Sequence, residues 1–248
     1  MRKRLLFLIA LAIPTAAHAW TPETDLRIAA KASQLAPPDL KFLIDKFEDE
    51  FRQGVTLASQ EDLRKPHRDF GVAGRRPLRE SLEAEIDAAI EMMRKRDSIS
   101  RFVERLGVIS HLVADANNPL HVANSDARLE ASHQDFERYV QRRLSVIPTV
   151  FYGLEIDREL GTYLDGVFER SSSLYPLLSE EYFRHGARRT SEEFDDRSTA
   201  FGVASLSYSH SVTDLVNIYY YIWKEAGGDV RAGRALKRGN LLLNPETR

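Results

Sequence analysis

"HLVADANNPLHVAN" (residues 111–124) and "HQDFERYV" (residues 133–140) decide how this chain reads. His111 and Asp115 stand four positions apart, and so do His133 and Glu137. On a helix that spacing puts both side chains on one face. It also lets one helix give two ligands to a single cation. Asn117 to Pro119 should end the first helix, with His121 just beyond the proline-set turn. Either pair alone reads most simply as a surface ion pair. Two pairs on consecutive helices, with a third histidine between them, point to a metal centre. The chain has no cysteine. Thiolate sites, disulfides and a cysteine nucleophile are therefore excluded, and His, Asp and Glu suit zinc or a similar divalent cation.

The surroundings of these two stretches read as helix. Ser98 to Ala116 carries Phe102, Val103, Leu106, Ile109 and Val113 on one face. Asp39 to Gly54 has Leu40, Leu43, Ile44, Phe47 and Phe51 at helical spacing, with Pro37 and Pro38 at its start and Gly54 as its expected end. Arg79 to Arg96 begins acidic and ends "MRKR", the charge order that complements the helix dipole. Leu129 to Leu144 and Asp157 to Arg170 are helical as well. Thr199 to Ala226 is the longest and most apolar segment and ends in Gly227-Gly228. No run of strict alternation is found, so the expectation is all-α, a single-domain multi-helix bundle with a metal cluster at the base of a cleft, and no sheet. Pro66 to Pro77 holds two Pro and two Gly and reads as a loop. Residues 227–248 are polar and basic and read as a loose tail.

The N-terminus sets the compartment. Arg2, Lys3 and Arg4 precede the apolar run Leu5 to Ile13, and Pro14 and the small-residue triplet Ala17-His18-Ala19 follow. This is the pattern of a secretory signal peptide over residues 1–19, with cleavage between Ala19 and Trp20. The run is shorter than the ~20 residues a bilayer span needs. The expectation is a secreted or periplasmic protein with residues 20–248 as its mature domain. The whole chain has 35 Lys and Arg and 37 Asp and Glu. Three of the bases and none of the acids lie in the leader, so the remainder carries an acidic excess of 5 (37 less 32). That balance argues against a broad basic surface for nucleic acid. Hydrophobic residues at 43% are ample for a core.

The two opening stretches resemble the signature of the zinc-dependent phospholipases C, a family that shares its fold with the fungal single-strand-specific nucleases. The pattern is H-x3-D-x-N-x-P-[LM]-H-x-A-N followed by H-x3-E. His111, Asp115, Asn117, Pro119, Leu120, His121, Ala123, Asn124, His133 and Glu137 match it. The closing glutamate is the phospholipase form, where the nucleases use aspartate. The resemblance gives Trp20 a meaning. In that family the processed chain starts on a tryptophan whose free α-amine and own carbonyl oxygen chelate one of three zinc ions. A free α-amine loses its proton to a cation near neutral pH.

The resemblance further implies that Asp62, His67, His111 and Asp115 hold one zinc. His121, His133 and Glu137 hold a second, and Trp20, Asp115 and Asp25 a third, with Asp115 bridging. Asp25 and Ser33 stand where the family's two branches place an early histidine. Asp62 is the implied catalytic residue, orienting or deprotonating the attacking water. It lies closer to His67 than in the family, and Glu61 and Asp69 are alternatives. Glu23 stands where a choline-preferring member has a glutamate near the headgroup, and is equally an ordinary helix-start acid. Leu63 replaces that branch's tyrosine. His210 and Asp214 form another pair four apart, read as helix packing, and His185 reads as a surface residue.

The expected activity is hydrolysis of a phospholipid or other phosphodiester, with contact at a membrane surface and up to three zinc ions. The alternatives are a nuclease or nucleotidase acting on single-stranded nucleic acid, and a metal-binding helical protein without turnover. Tyr219, Tyr220, Tyr221 and Trp223 read as helix packing rather than a platform for stacking bases.

Overall fold

The computed structural model describes residues 20–60, 76–123, 129, 132–155, 157–237 and 241–243. The leader and most of the Pro66–Pro77 loop lie outside them. Ten α-helices are present among the described residues, together with one small two-stranded sheet.

Prolines open several of the helices. Pro22 starts α1 (Pro22–Gln34), Pro38 starts α2 (Pro38–Lys46), and Pro77 starts α4 (Pro77–Arg94). Proline suits the first helical position because its fixed φ is already helical and its missing N–H had no partner there. Between α2 and α4, α3 runs Glu48–Gln60. The helix expected over Asp39–Gly54 is thus two helices. The chain leaves helical geometry at Phe47 (φ −119°, ψ 43°) and turns before α3.

Gly54 does not stop a helix. It lies inside α3, against α5 (Ile99–Ala116). A methyl on Gly107 of α5 would stand 2.2 Å from the Phe51 carbonyl oxygen and 2.8 Å from the Val55 nitrogen. One on Gly54 would stand 1.9 Å from the Glu104 carbonyl oxygen. The two helices cross at backbone contact, which only paired glycines permit. Gly54 is a packing residue whose reason lies 53 positions away in sequence.

α5 is the central element. Its N-cap, Ser98, accepts from the Arg101 N–H, and its apolar face, Phe102, Val103, Leu106, Ile109 and Val113, is buried as the spacing predicts. α1, α3, α4 and the 27-residue α10 (Thr199–Glu225) pack around it. Ser110 of α5 and Tyr219 of α10 share a buried hydroxyl hydrogen bond of 2.8 Å. Tyr219, Tyr220 and Trp223 are buried in the core, as expected of helix packing. The remaining helices are α6 (Pro119–Val122), α7 (His133–Arg143), α8 (Leu160–Ser173) and α9 (Tyr175–Tyr182). α7 begins at His133, and Leu129, where the expected helix starts, is itself helical.

The expectation of no sheet is corrected. β1 (Thr149–Phe151) pairs antiparallel with β2 (Leu241–Leu243), Phe151 opposite Leu241. β1 is only 3 residues long, too short to show a period of two in sequence, and α10 satisfies its other edge. The Val150 N–H donates to Ser209 Oγ, the Tyr152 N–H to Thr213 Oγ1 and the Glu155 N–H to Asn217 Oδ1. Part of the expected tail therefore belongs to the fold: a 3-10 turn at Arg231–Lys237 precedes β2, and the Leu154 N–H donates to the Leu236 carbonyl.

Gly107→Ala should destabilise the protein by about 1–3 kcal/mol, because α3 and α5 must separate. Gly202→Ala, inside α10 with nothing within 4 Å of the added methyl, should stabilise by about 0.5–1 kcal/mol. Urea midpoints of the two variants check both signs.

Candidate metal centre

α5 carries His111 and Asp115 into the interior, and both are fully buried. His111 Nε2 lies 3.3 Å from Asp115 Oδ2, so the spacing of four does bring the pair together. The other ring nitrogen, Nδ1, lies 2.8 Å from Asp25 Oδ2 of α1. Trp20, the residue before the N-cap of α1, is also fully buried. Its indole N–H donates to the Ala114 carbonyl at 2.8 Å, one position before Asp115. Its ring lies 5.9 Å from that of Phe136 on α7.

The turn after α5 is built by two asparagines. The Asn117 N–H reaches the Val113 and Ala114 carbonyls and closes the helix. Asn118 caps α6 by accepting from the Leu120 N–H, and the His121 N–H donates to the Asn118 carbonyl. Pro119 at the first position of α6 fixes the direction of the chain. This turn delivers His121, fully buried, against α7.

His133 opens α7, and Glu137 lies one turn on. His133 Nε2 is 2.7 Å from His121 Nε2 and 3.1 Å from Glu137 Oε1. One ligand atom from each of the three residues lies within 4.8 Å of the others, and all three residues are buried. A neutral imidazole carries one proton on two nitrogens. Two imidazole nitrogens and a carboxylate oxygen converging in this way form a donor set for a cation. At bond lengths of about 2.0–2.2 Å, zinc takes this combination of nitrogen and oxygen. The donor chemistry thus fits the metal that the sequence implies.

Three further carboxylates hold the frame: Glu181 and Asp214 are buried and Asp135 is half-buried. Asp135 of α7 accepts from Tyr182 Oη, the Ser191 N–H and Ser191 Oγ, which ties α7 to the segment before α10. Glu181 of α9 pairs with Arg184 and Arg189. Asp214 of α10 accepts from Asn117 Nδ2 at 2.9 Å and Tyr163 Oη at 2.7 Å, and pairs with Arg170 of α8. Burial pushes the Asp214 carboxyl above its usual range, against the opposing pull of Arg170, Tyr163 and Asn117. Its role is to hold the Asn117 turn. The signal in sequence was its spacing of four from His210, although its partners are Asn117, Tyr163 and Arg170.

The other expected residues divide. Glu23 is exposed and holds Gln141 Nε2 at 2.9 Å, with Arg27 at 3.6 Å. His210 does not join Asp214. Its ring stacks on Tyr152 at 4.4 Å, a packing role. Ser33 donates to the Ala30 carbonyl within its own helix. Asp62 and His67 lie outside the described residues, as do Glu61, Leu63, Asp69 and Asn124.

Fold and site together define an all-α protein with a buried His/His/carboxylate group able to hold a metal ion. No family model and no curated protein matches the chain. Nine chains of solved structures match it. One is the alpha-toxin of Clostridium perfringens from avian strain SWCP, at a TM-score of 0.57 and 15% identity, covering 84% of this chain and 65% of that one. The likeness is one of fold, and this chain spans slightly less than two thirds of alpha-toxin's length. Among the described residues no helix is long and apolar enough to cross a membrane.

Burial and the nearby Arg170 charge lower the His210 pKa from 6.5 to about 4. The unfolded chain therefore takes up a proton that the folded one refuses. This contribution is intact above pH 6.5 and is lost as pH falls toward 4. His210→Phe, which keeps the stacking, should make the loss of stability across that window shallower in urea titrations. An unchanged slope would remove the assignment.

Proposed function

We propose that this chain is an exported, zinc-dependent phosphodiester hydrolase of phospholipase C type. The observation that carries the reading is the buried convergence of His121, His133 and Glu137 beside the Asn117–Pro119 turn. It joins the two halves of the sequence signature, which lie on different helices. The fold likeness to alpha-toxin supports the same reading.

His121, His133 and Glu137 hold one zinc ion in this reading. Asp62, His67, His111 and Asp115 hold another, and Trp20, through its α-amine and carbonyl after removal of residues 1–19, joins Asp115 at a third. Zinc, when bound, supplies the positive charge that offsets the phosphoryl oxygens and acidifies a water. The chain's own residues do the rest. The imidazoles present neutral nitrogens and keep the donor set from repelling itself. Asp62 orients the attacking water and takes its proton. Burial of the donors keeps competing water out and strengthens their pull on the cation. The substrate is a phospholipid that meets the protein at a membrane surface.

Protein purified after export should contain about three zinc ions per chain, falling when extra residues precede Trp20. It should hydrolyse a short-chain phosphatidylcholine and leave single-stranded DNA intact. His121→Ala should cost one ion and at least a hundredfold in kcat. Cleavage of DNA but not lipid would move the protein to the nuclease branch, and absence of bound zinc would end the enzyme reading.

A further inference from the structure

We propose that Asp25 is a positioning residue for His111 rather than a ligand of the third cation; the inference rests on the metal-centre reading above. The sequence resemblance puts a metal-binding histidine at this position. The geometry gives the aspartate a different task. Asp25 sits in the first turn of α1, only 1% exposed, where the Asp25 N–H donates to the Thr21 carbonyl. Its Oδ2 meets Nδ1 of His111, 86 residues away, at 2.8 Å.

With a cation bound at Nε2, the one proton of a neutral His111 ring is on Nδ1, where it meets Asp25 Oδ2. That fixes the tautomer. The lone pair is then on Nε2, which faces Asp115 Oδ2 at 3.3 Å. Two electron-pair donors facing each other at that distance form half of a cation site. A carboxylate behind a histidine holds the ring's orientation and raises its basicity as a ligand. The second oxygen, Asp25 Oδ1, is buried with no hydrogen-bond partner among the described residues. The imidazole is therefore the main reason this carboxylate is tolerated inside. α1 is thus fastened to the end of α5 at two points, Trp20 on Ala114 and Asp25 on His111.

The test uses Asp25→Asn and Asp25→Ser in protein purified after export, with circular dichroism to confirm folding. In metal-free protein, nitrogen-15 NMR should show His111 protonated at Nδ1. The signal should shift in Asp25→Asn, whose amide oxygen still accepts, and be lost in Asp25→Ser. In zinc titrations both variants should bind as many ions as the wild type. Asp25→Ser should weaken one of them by roughly ten- to a hundredfold, with partial rescue in Asp25→Asn. Loss of a whole ion from Asp25→Asn with the His111 signal unmoved would overturn the proposal and make Asp25 a direct ligand. An unmoved signal and unchanged affinity in Asp25→Asn would overturn it too, even if Asp25→Ser fails to fold. The metal-free measurement reads Asp25 without zinc, so wild-type protein that binds no zinc would remove the proposed function and leave the tautomer result standing.

Discussion

Everything else in this molecule accommodates a concentration of buried ionisable groups at one end of α5. Asp25, His111, Asp115, His121, His133 and Glu137 are all withdrawn from water. Taking a charge out of water costs several kcal/mol unless a partner offsets it. Each of these groups is therefore met by another from a different helix or from the next turn. The arrangement demands that α1, α5, α6 and α7 be held in fixed relation, and the remaining structure supplies that. The glycine crossing of α3 on α5 sets the height of the central helix. Asp214, Arg170 and Tyr163 hold the Asn117 turn from one side, and Asp135 holds α7 from the other.

The parts of this design that are local were legible in the sequence. The limits of α5 follow from a Ser98 cap at one end and Asn-Asn-Pro at the other. The pairing of His111 with Asp115 and of His133 with Glu137 follows from helical spacing alone. That His121 joins His133 was inferred from the resemblance, and the proline-set turn explains how. Contacts between residues far apart in sequence were not legible. Gly54 reads as a helix stop until Gly107 is placed against it. Nothing in the first turn of α1 announces that Asp25 will meet a ring 86 residues later, and nothing in Asp135 points to Ser191. The bend at Phe47 has no Gly or Pro to mark it. The strand was hidden for a different reason: it is 3 residues long, too short for a period of two to show in sequence.

The fold likeness and the motif resemblance speak to different parts of the chain. The motif resemblance covers residues 106–140, and the likeness to alpha-toxin covers 84% of this chain at 15% identity. At that identity the likeness is one of fold alone. Polar residues at the ends of α5 and α7 are the part of the sequence with least freedom, because burial leaves each charge only one or two acceptable neighbours.

The contact between β1 and α10 shows how a helix can read a strand. Ser209, Thr213 and Asn217 recur every four residues, and four helical residues advance about 6.0 Å. Two residues of a strand advance about 6.6 Å. The two rulers agree well enough for Val150 and Tyr152, then drift apart. At the third mark the chain takes three residues instead of two, through Gly153 at φ 108°, so that Glu155 rather than Leu154 meets Asn217. The mismatch works like a vernier scale. It lets a helix recognise two steps of extended chain and no more, so the length of this strand is written in the pitch of the helix beside it.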